Sequence, residues 1–318
     1  MKRMIKLRIL QIIPVLLGTT FLSFALMQLA PQDAAEVLHQ QAGGAVSEEV
    51  LEKTREKMGL NQPFFQQYLN WIKDVFSGNM GTSITTGEDA AKMLFQKLPN
   101  TLALMFTSVG LSVLLSIPLG IWAAVRKNKF SDYIIRFFCL IGNSIPGFVL
   151  SFLLLYFFSL RLNWFSVTGG SRELKNIILP TIVLATSMSA KYIRQIQAAV
   201  LEELKQDYVA GAIARGVEFR KIILGGILKA VMLKLFPLVA LSIGSLLGGT
   251  AVIETIFLWD GMGKLIIDAI TMRDYPVIQV YIVWMSLMYV MISLLADLAY
   301  FVLDPRIKYG EEDVYEKN

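Results

Sequence analysis

The sequence predicts an all-α polytopic membrane protein with six transmembrane helices, and three observations support that fold class. Of its 318 residues, 55% are hydrophobic and only 17% are charged, with a mean hydropathy of +0.55, whereas a typical soluble domain is about 25% charged. Six apolar segments are each long enough to cross a bilayer, which requires about 20 residues. Lysine and arginine concentrate on alternate connections between these segments. The net charge of +5 is therefore attributed to membrane topology, and no nucleic-acid partner is expected.

The spans are assigned from apolar length and cover residues 9–30, 98–125, 133–160, 177–197, 235–258 and 277–303. A basic cluster precedes the first span, as in a signal peptide, but the apolar stretch is too long and no A-x-A cleavage site closes it. We therefore predict a retained N-terminal helix over residues 1–30 and a transmembrane core over 98–303, followed by a tail at 304–318.

The distribution of positive charge predicts the side of the membrane on which each connection lies. With the N-terminus in the cytoplasm, that side receives Lys2, Arg3, Lys6 and Arg8, then Arg126, Lys127 and Lys129, residues 198–234, and finally Arg306 and Lys308. The opposite side receives residues 31–97, in which acids outnumber bases, and the loops 161–176 and 259–276. Both termini are then predicted to be cytoplasmic.

Residues 31–97 are predicted to form a small extracytoplasmic helical lobe between the first two spans. The stretch SEEVLEKTREKMG is typical of a capped helix, with Ser47 as the N-cap, acids in the first turn and Gly59 as the stop. NQPFFQQYLNWIKDVFSG follows as an aromatic amphipathic helix, and GNMGTSITTGE is rich in turn residues.

The motifs of soluble enzymes and of metal or nucleotide sites are absent. No G-x-x-x-x-G-K-[ST] loop occurs, because GMGK at 261–264 lacks the upstream glycine and the hydroxyl residue, and HExxH, GxSxG and kinase signatures are missing too. The single cysteine, Cys139, has no disulfide partner and is interpreted as a small buried hydrophobe. The single histidine, His39, is interpreted as a solvated side chain in a polar loop. We expect no catalytic residue, no metal site and no cofactor in this chain.

Two prolines fall inside predicted spans and are candidates for helix breaks. Pro146, within GNSIPGF, is predicted to interrupt the third span, and Pro118 the second. A break at membrane depth frees backbone groups that a neighbouring helix or a water-filled cavity must satisfy. Asn143 and Ser144, just before the break at Pro146, would supply polar atoms to such a cavity. These three residues are therefore candidates for a polar pathway through the bundle.

The fifth span adds further pathway candidates in IGSLLGGT, namely Gly244, Ser245 and Gly248. The G-x-x-x-G spacing of the two glycines allows a second helix to approach closely, although ordinary packing is the alternative for either glycine alone. Glu254 lies near the outer end of this span. An ionisable residue within a span is a functional candidate by default, and for Glu254 a structural contact is an equal alternative. For Asp297, near the inner end of the sixth span, the structural contact is favoured.

The segment DYVAGAIARGVEFRKIILGGILKAVMLKLFP, residues 207–237, places small and basic residues between the fourth and fifth spans. Asp207 can cap a helix over YVAGAIAR, and Gly216 suits the left-handed residue that ends it. The alanines and the glycine leave the surface of this helix almost bare. Such a helix either allows another protein to approach closely or is an alanine-rich surface loop, and the residues alone leave both interpretations open.

The pattern small-x-x-A-R-G followed by a basic amphipathic helix resembles the EAA loop of ABC-importer permeases. The same residues and others resemble the dipeptide/oligopeptide/nickel branch of that family across nearly all of residues 1–309: MGLNQPFFQQYLNWI, GNMGTSI, LPNTLAL, IILP, AVIETIFLWDGMGKL, RDYPVIQ and LDPRI. The chain departs from the pattern in two places. The EAA segment begins Ala210-Gly211-Ala212 without the leading glutamate, and Trp259-Asp260 stands where related sequences often have a proline.

The resemblance implies a permease subunit of a binding-protein-dependent ABC importer in the cytoplasmic (inner) membrane of a prokaryote. Its partners would be membrane lipid, a second homologous permease, two ABC ATPase subunits that bind ATP and Mg, and an extracytoplasmic solute-binding protein. The loop at 198–234 would dock on an ATPase subunit through a coupling helix made of Asp207, Tyr208, Val209, Ala210, Gly211, Ala212, Ala214, Arg215 and Gly216.

The resemblance also narrows the choice of transported solutes. IPLGIWAA at 117–124 and RDYPVIQ at 273–279 are most similar to the nickel branch, which implies nickel or a metal chelate, with di- or oligopeptides as the alternative. A self-contained secondary carrier or channel is the alternative of another class. It would need paired ionisable residues or two broken helices in symmetry-related halves, and the sequence contains neither pattern.

Overall fold

A computed structural model describes residues 2–29, 33–41, 47–166 and 174–303, and the side chains of these residues except 2–9, 40–41 and 300–303. The predicted tail 304–318 and the side chains of the N-terminal basic cluster lie outside this description. Within the described ranges the regular structure is helical, apart from one isolated β-bridge between Thr82 and Asp89. The predicted all-α class is confirmed.

Fourteen α-helices are described in these ranges, and they are named here in chain order. They are α1 Lys2–Gln28, α2 Ala34–Gln41, α3 Glu48–Lys57, α4 Phe64–Phe76, α5 Ala90–Val125, α6 Phe130–Ser144, α7 Gly147–Leu154, α8 Ile178–Glu203, α9 Asp207–Ala214, α10 Phe219–Ile222, α11 Leu228–Gly249, α12 Ala251–Ile256, α13 Met262–Thr271 and α14 Tyr275–Leu303. A 3₁₀ turn over Leu174–Ile177 precedes α8, and π-helical segments follow α7 at Leu155–Arg161 and join α10 to α11 at Ile223–Ile227.

Five helical segments are long and apolar enough to cross a membrane, and a bent pair of helices brings the number to the six predicted if it forms one span. The five segments are Leu10–Gln28, Ala90–Val125, Lys175–Glu203, Phe219–Gly249 and Tyr275–Ala299. The predicted third span corresponds to the bent pair, in which Phe130–Ser144 and Gly147–Arg161 meet at 101°.

The two candidate helix breaks differ in outcome. At Pro146 the prediction is confirmed: α6 ends at Ser144, Ile145 is extended, and α7 begins directly after the proline, as expected because proline disfavours helical backbone at the residue before it. At Pro118 the prediction was wrong, since α5 continues unbroken from Ala90 to Val125. Spanning helices tolerate a proline where neighbouring helices, hydroxyl side chains or small local adjustments satisfy the freed backbone groups.

The chain divides into two compact units, residues 1–101 with 260–290 and residues 102–259 with 291–318. We call the first the lobe unit and the second the core unit.

In the core unit, α5 and α8 pack through a row of small buried residues on α5. Ser108, Ser112 and Ser116 follow at intervals of four residues and are fully buried. The Ser112 and Ser116 hydroxyls each lie 3.4 Å from a backbone carbonyl oxygen of α8, those of Ala185 and Ser189. Small residues at this spacing let two helix backbones approach closely in a membrane. This row was not predicted from the sequence, although its four-residue period is visible there.

A buried carboxylate joins α6 to α8 in the same unit. Asp132 is fully buried and accepts hydrogen bonds from the Asn128 backbone N–H at 2.9 Å, the Arg136 Nε at 2.8 Å and the Gln197 Nε2 at 2.7 Å. A buried charge is tolerated only when it is paired and hydrogen-bonded in this way. Cys139 is also buried here and packs against Ala190 and Ile193, which confirms its interpretation as a small hydrophobe.

In the lobe unit, both helices predicted from the sequence are present as α3 and α4. Ser47 precedes α3 with extended backbone but makes no side-chain capping bond, and Gly59 ends the turn after α3 with φ of +69°. The aromatic face of α4 packs on α1. The Phe24 and Tyr68 ring centroids lie 5.6 Å apart, and the Tyr68 hydroxyl is 2.9 Å from the Thr20 hydroxyl.

A charged cluster ties α3 to α2. The Arg55 guanidinium binds the carboxylates of Asp33 and Glu36, each at 2.6 Å. Burial opposes ionisation of Asp33, but the Glu36 backbone N–H and the Arg55 guanidinium outweigh it, so the pKa of Asp33 lies below its usual value. His39 lies on α2, and its Nε2 is 2.8 Å from the Thr54 hydroxyl. The interpretation of His39 as a solvated loop residue was therefore wrong.

The turn-rich stretch of the lobe unit is held by one aspartate. Asp274 is 2% exposed, and its carboxylate accepts bonds from the Ser83 hydroxyl, from the Ile84 N–H at 3.1 Å, and from the Thr85 N–H and hydroxyl at 3.3 and 2.8 Å. Asp260, one of the two departures from the family pattern, is held by the Lys97 ammonium at 2.6 Å. These bonds define the local shape of both loops.

Candidate coupling surface and translocation cavity

The helix predicted between the fourth and fifth spans is present as α9. The residue before it, Gln206, is the N-cap, so Asp207 lies in the first turn rather than at the cap as predicted. An acid in the first turn is still favourable, because the helix dipole is positive there. Gly216 has φ of +75°, and the turn it forms carries bonds from its own N–H to the Ile213 carbonyl at 2.9 Å and from the Val217 N–H to the Ala212 carbonyl at 3.1 Å. The predicted left-handed stop is confirmed.

One face of α9 anchors it to the core unit. Val209 is 1% exposed, and the Tyr208 hydroxyl donates to the Glu203 carboxylate at the end of α8 at 3.0 Å. Partial burial and the adjacent carboxylate raise the pKa of Tyr208, so its hydroxyl stays protonated as the donor. A Cβ at Gly226 would lie 3.2 Å from the Tyr208 ring, so the ring also rests on the segment that leads into α11.

The other face of α9 is exposed and nearly without bulk. We call Ala210, Gly211, Ile213, Ala214 and Arg215 the coupling surface, in which Gly211 is half-buried and the other four residues are exposed. A Cβ at Gly211 would meet no atom within 4 Å, and Ile213 is 55% exposed among the small residues. An exposed apolar side chain on a bare surface is typical of a protein interface. Ile213 was missed from the sequence, although it is the one bulky apolar residue within Ala210–Ala214.

The residues predicted to line a pathway lie at the bend between α6 and α7, on α11 and on α12. Asn143, Ser144 and Pro146 are exposed around the bend between α6 and α7. Glu254 is fully buried and accepts a bond from the Thr250 hydroxyl at 2.9 Å, which is a structural contact.

Gly248, the second glycine of the pair in the fifth span, makes no close helix contact within the described chain. It is exposed on α11, and a Cβ there would meet no atom within 4 Å. Gly244 lies four residues earlier on the same helix and is half-buried. The face is therefore open at Gly248 within the described chain.

Between α8 and α11 the core unit contains a cavity of about 620 Å³. Ser245 is the predicted pathway residue that lines it. The other polar side chains of this cation cavity, as we call it, are Lys191, Tyr192, Arg194, Gln195 and Ser242. These residues were not predicted from the sequence, although two cations three residues apart inside a predicted span are a visible signal.

Metal ligands do not cluster in the described part of the chain, where no three His, Cys, Asp or Glu side chains come together.

Comparison with known families covers most of the chain. The profile described as "Binding-protein-dependent transport system inner membrane component" matches residues 116–309, and that described as "Binding-prot-dependent transport system membrane comp, N-term" matches residues 1–105.

Three curated relatives match almost end to end. The chain is 37% identical over 313 residues to the oligopeptide transport system permease protein AppB of Bacillus subtilis (strain 168), covering 95% of this chain and 98% of that protein. It is 36% identical over 299 residues to the nickel import system permease protein NikB of Staphylococcus aureus (strain bovine RF122 / ET3-1), covering 94% and 90%. It is 33% identical over 302 residues to the glutathione transport system permease protein GsiC of Escherichia coli (strain K12), covering 95% and 97%.

Among solved structures, an inward-facing conformation of the MetNI methionine ABC transporter resembles the chain in fold, with a TM-score of 0.55 at 16% identity over 67% of this chain and 96% of that one. The apolar helices, the two family profiles and the relatives agree. The chain belongs to the family of binding-protein-dependent transport system inner membrane components and is a permease subunit of an ABC importer.

Proposed function

We propose that this chain forms a translocation pathway with a second homologous permease and that α9 docks on one of two ABC ATPase subunits. Those subunits would bind ATP and Mg, so hydrolysis takes place outside this chain. An extracytoplasmic solute-binding protein would deliver the solute to residues 31–97 and 259–276. The observation that carries the proposal is the coupling surface, which is exposed and bare on one side while Val209 anchors the other.

The anchoring of α9 suggests how movement reaches the spans. Glu203 at the end of α8 accepts the bond from Tyr208 of α9, and its other oxygen lies 3.2 Å from the Lys234 ammonium of α11. A displacement of α9 is therefore carried to both helices that line the cation cavity. We infer alternating access driven by rigid-body movement of these helices when the ATPase pair closes.

The substrate proposed from the sequence is nickel or a metal chelate. The relatives favour a peptide equally, because the oligopeptide and nickel permeases are 37% and 36% identical to this chain and the glutathione permease is 33% identical. Because the chain belongs to the importer family, we do not retain the alternative of a self-contained carrier or channel.

The proposed orientation is tested by labelling with an impermeant maleimide in intact cells. A cysteine at Ser47, which is exposed before α3, should be labelled, whereas a cysteine at Gln206, which is exposed before α9, should be labelled only after the cells are opened. The native chain is the blank, because Cys139 is buried. The opposite labelling pattern would contradict the predicted orientation and place both termini outside the cytoplasm.

The proposed assembly is tested by purifying a tagged chain in mild detergent, where the second permease and the ATPase subunits should accompany it. We expect Gly248→Leu to leave an assembled complex whose transport falls more than about tenfold, because the added bulk fills an open face of α11 without touching its own fold. Gly248→Ala adds little bulk and should transport normally. Normal uptake by the leucine variant at normal expression would remove this face from the pathway.

A further inference from the structure

We propose that the cation cavity binds a carboxylate group of the transported solute through Lys191 and Arg194. The inference rests on the proposed function and narrows its substrate class. The solute would be a peptide with a free carboxylate or a metal ion held by a carboxylate chelator, rather than a bare divalent cation.

The geometry of the cavity fits a small solute. Lys191, Arg194 and Gln195 lie three and four residues apart, which places them on one face of α8. Ser242 and Ser245 lie three residues apart on the facing side of α11. The volume of about 620 Å³ falls within the roughly 300–1,000 Å³ common for small-molecule sites.

The two cations have no counter-charge in the described structure. Both side chains are exposed, and no described carboxylate forms an ion pair with Lys191 or Arg194. Two other cations of the core unit are paired: Lys234 lies 2.8 Å from a Glu202 oxygen, and Arg136 lies 2.8 Å from Asp132. Like charges on one helix face repel, so an anion in the cavity relieves this repulsion.

Both cations lie toward the inner end of the predicted fourth span, residues 177–197. Lys191 and Arg194 precede residue 197 by six and three residues, which is about 9 and 4.5 Å along the axis at 1.5 Å per residue. Charged groups within a span usually face a protein interior or a water-filled cavity. The cavity between α8 and α11 is that environment in the described core unit.

A neutral donor completes the site. Tyr192 is 2% exposed, and its hydroxyl lies within hydrogen-bonding reach of the Ser242 hydroxyl. It lines the cavity beside Arg194, whose planar guanidinium can hold a carboxylate through two parallel bonds. The Ser242 and Ser245 hydroxyls donate to carbonyls of their own helix at 2.9 Å, which leaves the lone pairs of Ser245 free to accept an N–H of a peptide.

Electrostatics separates anionic cargoes from the bare metal ion. Two uncompensated cations repel a bare Ni²⁺ ion, whereas a carboxylate chelate of the metal and the C-terminus of a peptide both present negative charge to them. The same cavity therefore accounts for peptide and chelate cargoes and disfavours the free ion.

The test is calorimetric titration of the full chain in phosphatidylcholine nanodiscs, alone and with its co-purified partners, without the solute-binding protein. The probes are Ala-Ala, its C-terminal amide, citrate and nickel chloride. Ala-Ala and citrate should bind, and Lys191→Gln or Arg194→Gln should each weaken binding at least about tenfold, as expected for a lost charge-assisted bond. Lys229→Gln, which removes an exposed cation of α11 outside the cavity, should bind both probes as the native chain does.

Several outcomes would overturn the inference. They are equal binding of Ala-Ala and its amide, a loss of nickel chloride binding in the cavity variants, and unchanged binding of Ala-Ala and citrate by those variants. A response that appears only when phosphatidylglycerol is added would assign the cations to a lipid headgroup. Release of the second permease by Lys191→Gln or Arg194→Gln would assign them to an ion pair between subunits.

The same experiment separates this inference from the proposed function. If partners co-purify but the anionic probes do not bind, the cavity assignment fails and the importer assembly stands. If the chain alone binds the probes through Lys191 and Arg194 but no ATPase subunit accompanies it, the assembly fails and the cavity assignment stands.

Discussion

Gly211→Trp is expected to abolish transport while the chain remains folded and inserted in the membrane. A Cβ at Gly211 would meet no atom within 4 Å, so an indole there has room within this chain. The added bulk instead projects from the coupling surface, where Ala210 and Ala214 are exposed beside it. A tryptophan side chain carries about 200 Å² or more of surface, which would hold a docked ATPase subunit away from α9. Co-purification of ATPase subunits and solute-stimulated ATP hydrolysis in nanodiscs measure the effect.

Two further substitutions distinguish the effect of added bulk from the effect of losing a glycine. Gly211→Ala should dock and transport as the native chain does, because a methyl group is accommodated and alanine favours the helix. Gly216→Val should act more mildly than Gly211→Trp: its residue would be held at φ of +75°, which costs about 1–2 kcal/mol for a side chain with a Cβ, and it adds little bulk. If Gly211→Trp retained native co-purification and hydrolysis, residues 207–216 would be a plain surface loop.

The parts of the fold that were predicted correctly depend on local signals. Gly59 and Gly216 both take the positive φ expected of a glycine at a helix end. Ile145 is extended because Pro146 follows it, and that effect acts on the neighbouring residue alone. Effects that act between neighbouring residues can be predicted from one segment without knowing what packs against it.

The parts that were missed depend on residues far apart in the chain. Asp274 holds a loop about 190 positions earlier, and no pattern around either segment indicates that pairing. Pro118 was expected to break α5, but only its surroundings decide whether a proline bends a spanning helix. Lys191 and Arg194 became candidate binding residues only because the fold places α11 beside α8, with a cavity between the two helices. Their spacing alone did not identify which helix they face.

Among substitutions of the core unit, those at Gly120 are expected to have the largest effect on stability. A Cβ at Gly120 would lie 2.6 Å from Ile196 Cγ2 and 3.1 Å from the Ile193 carbonyl oxygen of α8. Ile196 is 1% exposed and β-branched, so it cannot turn aside, and the carbonyl belongs to the helix backbone. Gly120→Ala must therefore separate α5 from α8, at a cost of about 1–3 kcal/mol, and Gly120→Leu should prevent the two helices from packing.

Cys139 can serve as the reporter for this prediction, and Gly110→Ala can serve as its control. Cys139 is the single cysteine, is buried, and packs against Ile193 of α8, so its labelling by a thiol dye on heating follows the opening of this bundle. Gly110 lies on the same helix, and a Cβ there would meet no atom within 4 Å. Gly110→Ala should leave the labelling midpoint unchanged or raise it, since alanine favours the helix, whereas Gly120→Ala should lower it by several degrees. Because both variants make the same replacement on α5, their difference isolates the contact with α8, and equal midpoints would show that Gly120 is not a point of close approach.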